Sequence, residues 1–409
     1  MTRAEGILDG PTLGRLNRWR KARAVFVRPD GREAEHAVSR ALGRLWARGQ
    51  VYGRARRLVL DRPAEALLAQ LAQGVGLLAD QVRVAPEDPA QTKWDAVGNL
   101  APLSAAARQV RALWLADVMQ TGELFVEFQP IFELRTGEIL GAEGLLRARS
   151  SGGTVHLAAE IFPAAKALRI ELPFERLSWV CVLEAARRLP DNVMLFLNVN
   201  PQLLTGGAHG LQGLGQEAER VDFPYTRLAL DLVEIERLES LEALQAALDV
   251  PHDLGVAVAL DDITSGYGTL RGCQELAPRW IKVDRAITSG IGRDRRRRAV
   301  LKMLARVARD FSVALIAEGV ESAQDLDVCF QERVFAAQGY FLARPDERPP
   351  SASPEFEEWL SARRTAAEEA PAQVEAESAE AAAPVPESSG TAETPAVESE
   401  FFPSDSETG

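Results

Sequence analysis

Short apolar runs separated by amphipathic stretches dominate the middle of this chain. Eight of them read as strands: 125–132 (FVEFQPIF), 139–148 (ILGAEGLLRA), 193–199 (VMLFLNV), 227–233 (RLALDLV), 256–262 (VAVALDD), 280–284 (WIKVD), 313–318 (VALIAE) and 336–341 (AAQGYF). Most are apolar on both faces, as strands covered by helices are. Between most of them lie stretches with helical periodicity, such as ERLSWVCVLEAARRL and RRRRAVLKMLARVARDF. Eight strands with intervening helices over about 220 residues fit a (β/α)8 TIM-type barrel. A doubly wound open sheet competes with it, but no Gly-rich phosphate loop follows the first strand.

The flanks pattern differently. Residues 1–105 alternate strands at 23–28, 56–60 and 81–84 with helices near 33–48 and 63–76, a small α/β unit with a sensory or partner-binding role. The segment 85–91 (APEDPAQ) reads as a loop, and a helix over 103–120 leads into the barrel region, 106–349. Residues 350–409 are rich in Ala, Glu, Pro, Ser and Thr, too polar to offset ordering entropy, and are expected to be disordered after one helix over 353–370.

Charge sharpens this division. The net charge of −12 belongs to the tail, because residues 351–409 hold 14 acidic residues against Arg363 and Arg364, while the rest holds 45 of each sign. A neutral folded part excludes a nucleic-acid polymer as the expected partner. The run Arg293 to Arg298 is expected to begin a helix facing solvent or a dimer partner. Three scattered cysteines and no apolar run of membrane-spanning length or signal-peptide pattern lead us to expect a reducing cytoplasm. The four histidines lack metal-ligand spacing, so a metal here would be held by oxygen.

Polar residues recur at or just beyond the ends of the apolar strands. Glu143 and Arg147 lie in the second, Asn198 in the third, Asp231 and Glu234 in and after the fourth, Asp261 and Asp262 in the fifth. Lys282 and Asp284 lie in the sixth, Glu318 ends the seventh, and Gln338 lies in the eighth. Barrel strand ends converge on one face, the face that carries catalysis. Clustered carboxylates repel one another unless a cation neutralises them, and an oxygen-only set suits Mg²⁺ or Mn²⁺. The Asp261-Asp262 pair is placed to bridge two ions for in-line displacement at phosphorus. Arg147 suits a phosphate oxygen, and Lys282 an attacking water. Singly, each has a plainer reading: a Glu143–Arg147 ion pair, an Asn198 turn, an Asp-Asp helix cap, a snorkelling Lys282, an ion-paired Glu318, a backbone-bonded Gln338. Their joint placement favours a site.

The same residues carry a family likeness. FQPIFELRTGEILGAEGLLR, LNVNP, LDLVE, ALDDITSGYGTL, IKVDR, IAEGVES and QGYFLARP resemble, in order and spacing, the motifs of EAL domains. The resemblance implies a barrel hydrolysing cyclic di-GMP to linear pGpG with Mg²⁺ or Mn²⁺, two ions, and a homodimer. It implies that Glu143, Asn198, Asp231, Asp261 and Asp262 are metal ligands and that Glu318 belongs to the same metal and water network. Lys282 corresponds to the lysine that assists the water, with Asp284 beside it, and Glu234 anchors the loop after the fifth strand. Gln129, Arg147 and Gln338 match positions near substrate or water. Departures are Gly144 for Ala, Asp231 for Glu, Val233 for Thr, and Ile263, Thr264, Ser265, Gly268 and Thr269 in the loop after the fifth strand. An active phosphodiesterase, a cyclic di-GMP receptor without turnover and a scaffold acting through the flanks all stay open.

Overall fold

The computed structural model describes residues 18–44, 49–52, 55–60, 63–87, 100–121, 123–204, 211–233, 235, 240–263, 267–348 and 351–365. The chain divides into two compact units, Met1–Glu357 and Glu358–Gly409. The acidic tail expected to be disordered lies outside the described residues beyond 365.

The first unit holds two sheets. Strands β1 (Ala24–Pro29), β2 (Gly49–Tyr52), β3 (Ala55–Val59), β4 (Val82–Pro86) and β5 (Ala101–Pro102) form an antiparallel sheet in the order β2-β3-β1-β4-β5. Its centre, β1, is almost wholly buried, with Ala24, Val25, Phe26 and Val27 at 0% exposure. The two edge strands were not anticipated; one is four residues long and the other two. The helix expected over 103–120 is two helices, Leu103–Arg111 and Leu113–Thr121, with Ala112 between them.

The second sheet closes on itself. Its strands are β6 (Leu124–Glu133), β7 (Ile139–Arg149), β8 (Val155–His156), β9 (Met194–Val199), β10 (Leu228–Leu232), β11 (Ala257–Ile263), β12 (Trp280–Val283), β13 (Ala314–Ala317) and β14 (Ala336–Ala337). They run β6-β14-β13-β12-β11-β10-β9-β7-β8, and pairing of β6 with β7 makes the eight-stranded barrel, which excludes the open sheet. One strand breaks the expected uniformity. β6 is antiparallel to both neighbours, β7 and β14. Only residues 134–138 join β6 to β7, whereas a parallel crossover takes a dozen or more. Gly137 makes the reversal at φ +76°, donating its N–H to Glu133 O at 2.8 Å.

The barrel floor is a layer of inward side chains: Ile131, Phe196, Ala229, Ala259, Trp280, Ile316 and Ala336, all buried. Phe196 and Trp280 fill the space that the three alanines leave, their rings 5.0 Å apart. On β7 the corresponding residue is Gly141, where a Cβ would fall 2.6 Å from the Phe196 ring. Gly144 has a structural reason of the same kind, since a Cβ there would collide with Val182 of the helix Glu171–Ala186.

Beyond the barrel, β8 extends β7, pairing His156 with Ala148. The Trp114 ring, in the helix that precedes β6, stacks on His156 with centroids 3.8 Å apart.

Candidate active site

Side chains alternate along a strand, so the residue two positions from each floor residue also faces inward, one layer higher. Stepping two residues from Gly141, Phe196, Ala229, Ala259, Trp280, Ile316 and Ala336 gives Glu143, Asn198, Asp231, Asp261, Lys282, Glu318 and Gln338. On reversed β6 the step runs backwards, from Ile131 to Gln129. Eight strands thus contribute eight polar groups to one layer, and the hydrogen bonds below join them.

Lys282 is the hub. It is fully buried, with Nζ 2.5 Å from Asp231 Oδ2, 2.7 Å from Glu318 Oε1, 3.2 Å from Asp261 Oδ1 and 3.5 Å from Glu143 Oε2. The snorkelling reading of Lys282 is therefore excluded. Burial opposes its charge, but four surrounding carboxylates hold its pKa well above the ordinary lysine value. Around the rest of the ring, Asn198 Nδ2 donates to Glu143 Oε1 at 2.7 Å. Gln338 Nε2 donates to Glu143 Oε2 at 2.8 Å and to Gln129 Oε1 at 2.9 Å.

Charge in this layer does not balance. Four carboxylates face one ammonium. Burial resists ionisation of Glu143, yet the Lys282 charge and two amide donors outweigh it and set its pKa below the ordinary value. Asp231 has no such surplus of donors: burial and the charge of Asp261 push its pKa well up, against the pull of Lys282. Glu318 shifts up too, first through burial and then through Asp261 and Glu143. Asp231 Oδ1 is buried without a hydrogen-bond partner among the described residues. Asp261 Oδ1 lies at ion-pair distance from Lys282 but lacks hydrogen-bond geometry. Orphaned carboxylate oxygens and surplus negative charge fit a bound hard cation.

Asp261 and Asp262 are adjacent, so a regular strand would send them to opposite faces. The pairing of β11 with β12 slips between Leu260 and Ile263, and Asp262 adopts φ +56°. This irregularity brings carboxylate oxygens of Asp261, Asp262 and Glu318 within 4.8 Å of one another, a set able to hold a metal ion. Burial, the Asp261 charge and a hydrogen bond with Asp284 raise the Asp262 carboxyl to about 6. Asp284 also caps the short helix Arg285–Thr288, accepting from Ala286 N at 2.6 Å.

Arg147 does not pair with Glu143, which corrects that plainer reading. It lies two layers higher and donates from Nε to Glu127 Oε2 at 2.8 Å. Glu234, Thr264 and Ser265 lie outside the described residues, as does the side chain of Thr269, while Gly268 and Thr269 stand in the helix Tyr267–Leu276. Two carboxylates escaped the sequence reading. Glu127 alternates with Gln129 on β6, a signal visible in FVEFQ. Glu175, on the helix Glu171–Ala186, accepts the N–H of Asn200 at 3.1 Å behind Asn198, and burial raises it to about 7. Nothing in its local sequence distinguishes it from a surface glutamate.

Comparison with known proteins gives this geometry a family. The probable cyclic di-GMP phosphodiesterase PdeG of Escherichia coli K12 is 26% identical over 247 residues, 56% of this chain and 46% of that protein. Cyclic di-GMP phosphodiesterase PdeL of the same strain is 24% identical over 221 residues, 53% of this chain and 61% of its own. The chain thus spans less than two thirds of either relative. Among solved structures, the PaMucR phosphodiesterase in complex with c-di-GMP superposes with a TM-score of 0.54 at 20% identity, covering 58% of this chain and 98% of that one. The EAL enzyme Bd1971 in its cGMP-bound form gives 0.55 at 20%, covering 71% and 78%. At these identities the superpositions speak for the fold alone. No described helix is long and apolar enough to cross a membrane. The sequence profile of the EAL domain matches residues 112–345, more than half of the chain, and the protein belongs to that family.

Proposed function

We propose that this barrel hydrolyses cyclic di-GMP to linear pGpG with two Mg²⁺ or Mn²⁺ ions. One observation carries the reading: an inward layer in which four carboxylates, three of them buried, face a single lysine and leave acidic oxygens unpartnered. Relatives named as cyclic di-GMP phosphodiesterases support it. Glu143, Asn198, Asp231, Asp261 and Asp262 would hold the ions. Bound there, such ions supply a polarised water and neutralise the leaving oxygen.

The chain's own residues do the rest. Lys282, in contact with four carboxylates, assists the attacking water and balances part of their charge. Glu318 lies at 2.7 Å from it and shares that water network. Asp284 steadies Asp262, and Glu234 anchors the loop beyond β11. Arg147 grips a phosphate oxygen, and Gln129 and Gln338, bonded to each other, orient the substrate side. Residues 1–105 serve as a regulatory or partner-binding unit on the barrel of 106–349, which acts as a homodimer.

The test is pGpG release from labelled cyclic di-GMP by purified protein. Release should require Mg²⁺ or Mn²⁺, stop with a chelator and return on re-addition. A second reading, ligand binding without turnover, is favoured by Asp231. This residue is one methylene shorter than the family's Glu, and its Oδ2 is already taken by Lys282. Calorimetric binding with no pGpG under any metal would select it.

A further inference from the structure

We propose that Glu127 is a positioning residue, which holds the Arg147 guanidinium in the orientation that receives a substrate phosphate. The inference rests on the proposed function and adds a residue to that site.

Glu127 and Arg147 lie on antiparallel neighbours. The register pairs Glu127 with Leu145 and Phe125 with Arg147, so the two charged residues are diagonal neighbours. Glu127 and Gln129 share one face of β6, and Glu143, Leu145 and Arg147 share the facing side of β7. Both charges therefore stand on the inward side, above the carboxylate layer.

The guanidinium is constrained at two points. Nε donates to Glu127 Oε2 at 2.8 Å, and Nη1 donates to Leu146 O at 3.1 Å. Two such bonds fix the plane of a rigid five-donor fork. Nη2 has no partner among the described residues and is left for an anion. The Arg147 side chain is only 9% exposed, and its charge would be uncompensated without the carboxylate. Glu127, at 26%, is more open to solvent and keeps Oε1 out of the pair.

A carboxylate beside a phosphate-binding arginine has two opposing effects. It lowers the net charge that the substrate meets, which weakens attraction. It also removes the rotational freedom of a long side chain, which otherwise has to be frozen on binding. The close Nε contact and the burial of Arg147 make orientation the larger effect. An uncharged acceptor at position 127 then preserves function, and loss of the acceptor does not.

Steady-state hydrolysis of cyclic di-GMP, with calorimetric binding beside it, tests this. Glu127→Ala should raise KM at least tenfold and change kcat by less than threefold. Glu127→Gln should hold KM within threefold of the parent, or below it. Glu127→Ala leaves a nearly buried arginine unpaired and can lose stability, so a double-mutant cycle guards the conclusion. Adding Glu127→Ala to Arg147→Ala should cost no further affinity, because no guanidinium remains to be held. An unchanged KM in Glu127→Ala, equal losses in the Ala and Gln variants, or additive losses in the cycle overturns the inference while the proposed function stands. Failure of the parent protein to bind cyclic di-GMP overturns both.

Discussion

The floor of the barrel and the layer above it come from the same eight strands, two residues apart, and have opposite chemistry. The floor is Ile131, Phe196, Ala229, Ala259, Trp280, Ile316 and Ala336, closed around two aromatic rings. The layer above is four acids, three amides and one lysine. The lower layer explains the behaviour of the upper one. It closes the barrel beneath the carboxylates, and burial pushes the Asp231 and Glu318 carboxyls up. Glu175 is the control, because it is buried with no cation acting on it among the described residues, and it rises to about 7. Glu143 is buried as well, yet falls, because Lys282 and two amides attend it.

The difference between the layers can be broken at either level. The largest effect is expected from Lys282→Met, which removes the one ammonium among the described residues in contact with the acids. It should abolish pGpG release and cost about 3–5 kcal/mol in urea unfolding near neutral pH, as a buried acid is left uncompensated. Trp280→Ala opens the floor and leaves every acid in place. Unfolding should show a loss of about 3–5 kcal/mol, with far more activity per folded molecule than in Lys282→Met.

Glu175→Gln sharpens the control. A carboxyl whose folded pKa is raised from the ordinary 4.5 to about 7 supports the fold fully below 4.5, and that support is lost as pH rises through 7. The shift is worth about 3 kcal/mol. Melting temperature should therefore decline between about pH 5 and 8 in the parent relative to the Gln variant, whose amide oxygen still accepts from Asn200. Parallel melting profiles would refute the assignment.

Much of this was legible in the chain. Apolar runs bounded by helical stretches located the eight strands. Polar residues at their ends located the layer, because strand alternation is a local property. What escaped was non-local. The direction of β6 was implied by the five-residue link after Glu133, but a strand-then-helix rhythm masked it. That miss hid Glu127, since a search of C-terminal strand ends looks at the wrong half of a reversed strand. The partner of Arg147 depends on cross-strand register, and, although Asp262 itself was named, what turns it toward Asp261 is a break in strand register that no periodicity predicts. Glu175 became visible only when the helix that carries it packed behind Asn198. Gly144, a departure from the family triplet, became intelligible once Val182 was seen against it.

The reversed course of β6 also decides where the chain enters the barrel. Leu124 pairs with Ala148, one residue beyond Arg147, so the polypeptide arrives at the open mouth and not at the base. The preceding helix makes its approach there, with Trp114 lying flat on His156. A shift in the segment that leads into Leu124 therefore meets Arg147 and Glu127 first, without having to pass through the floor layer.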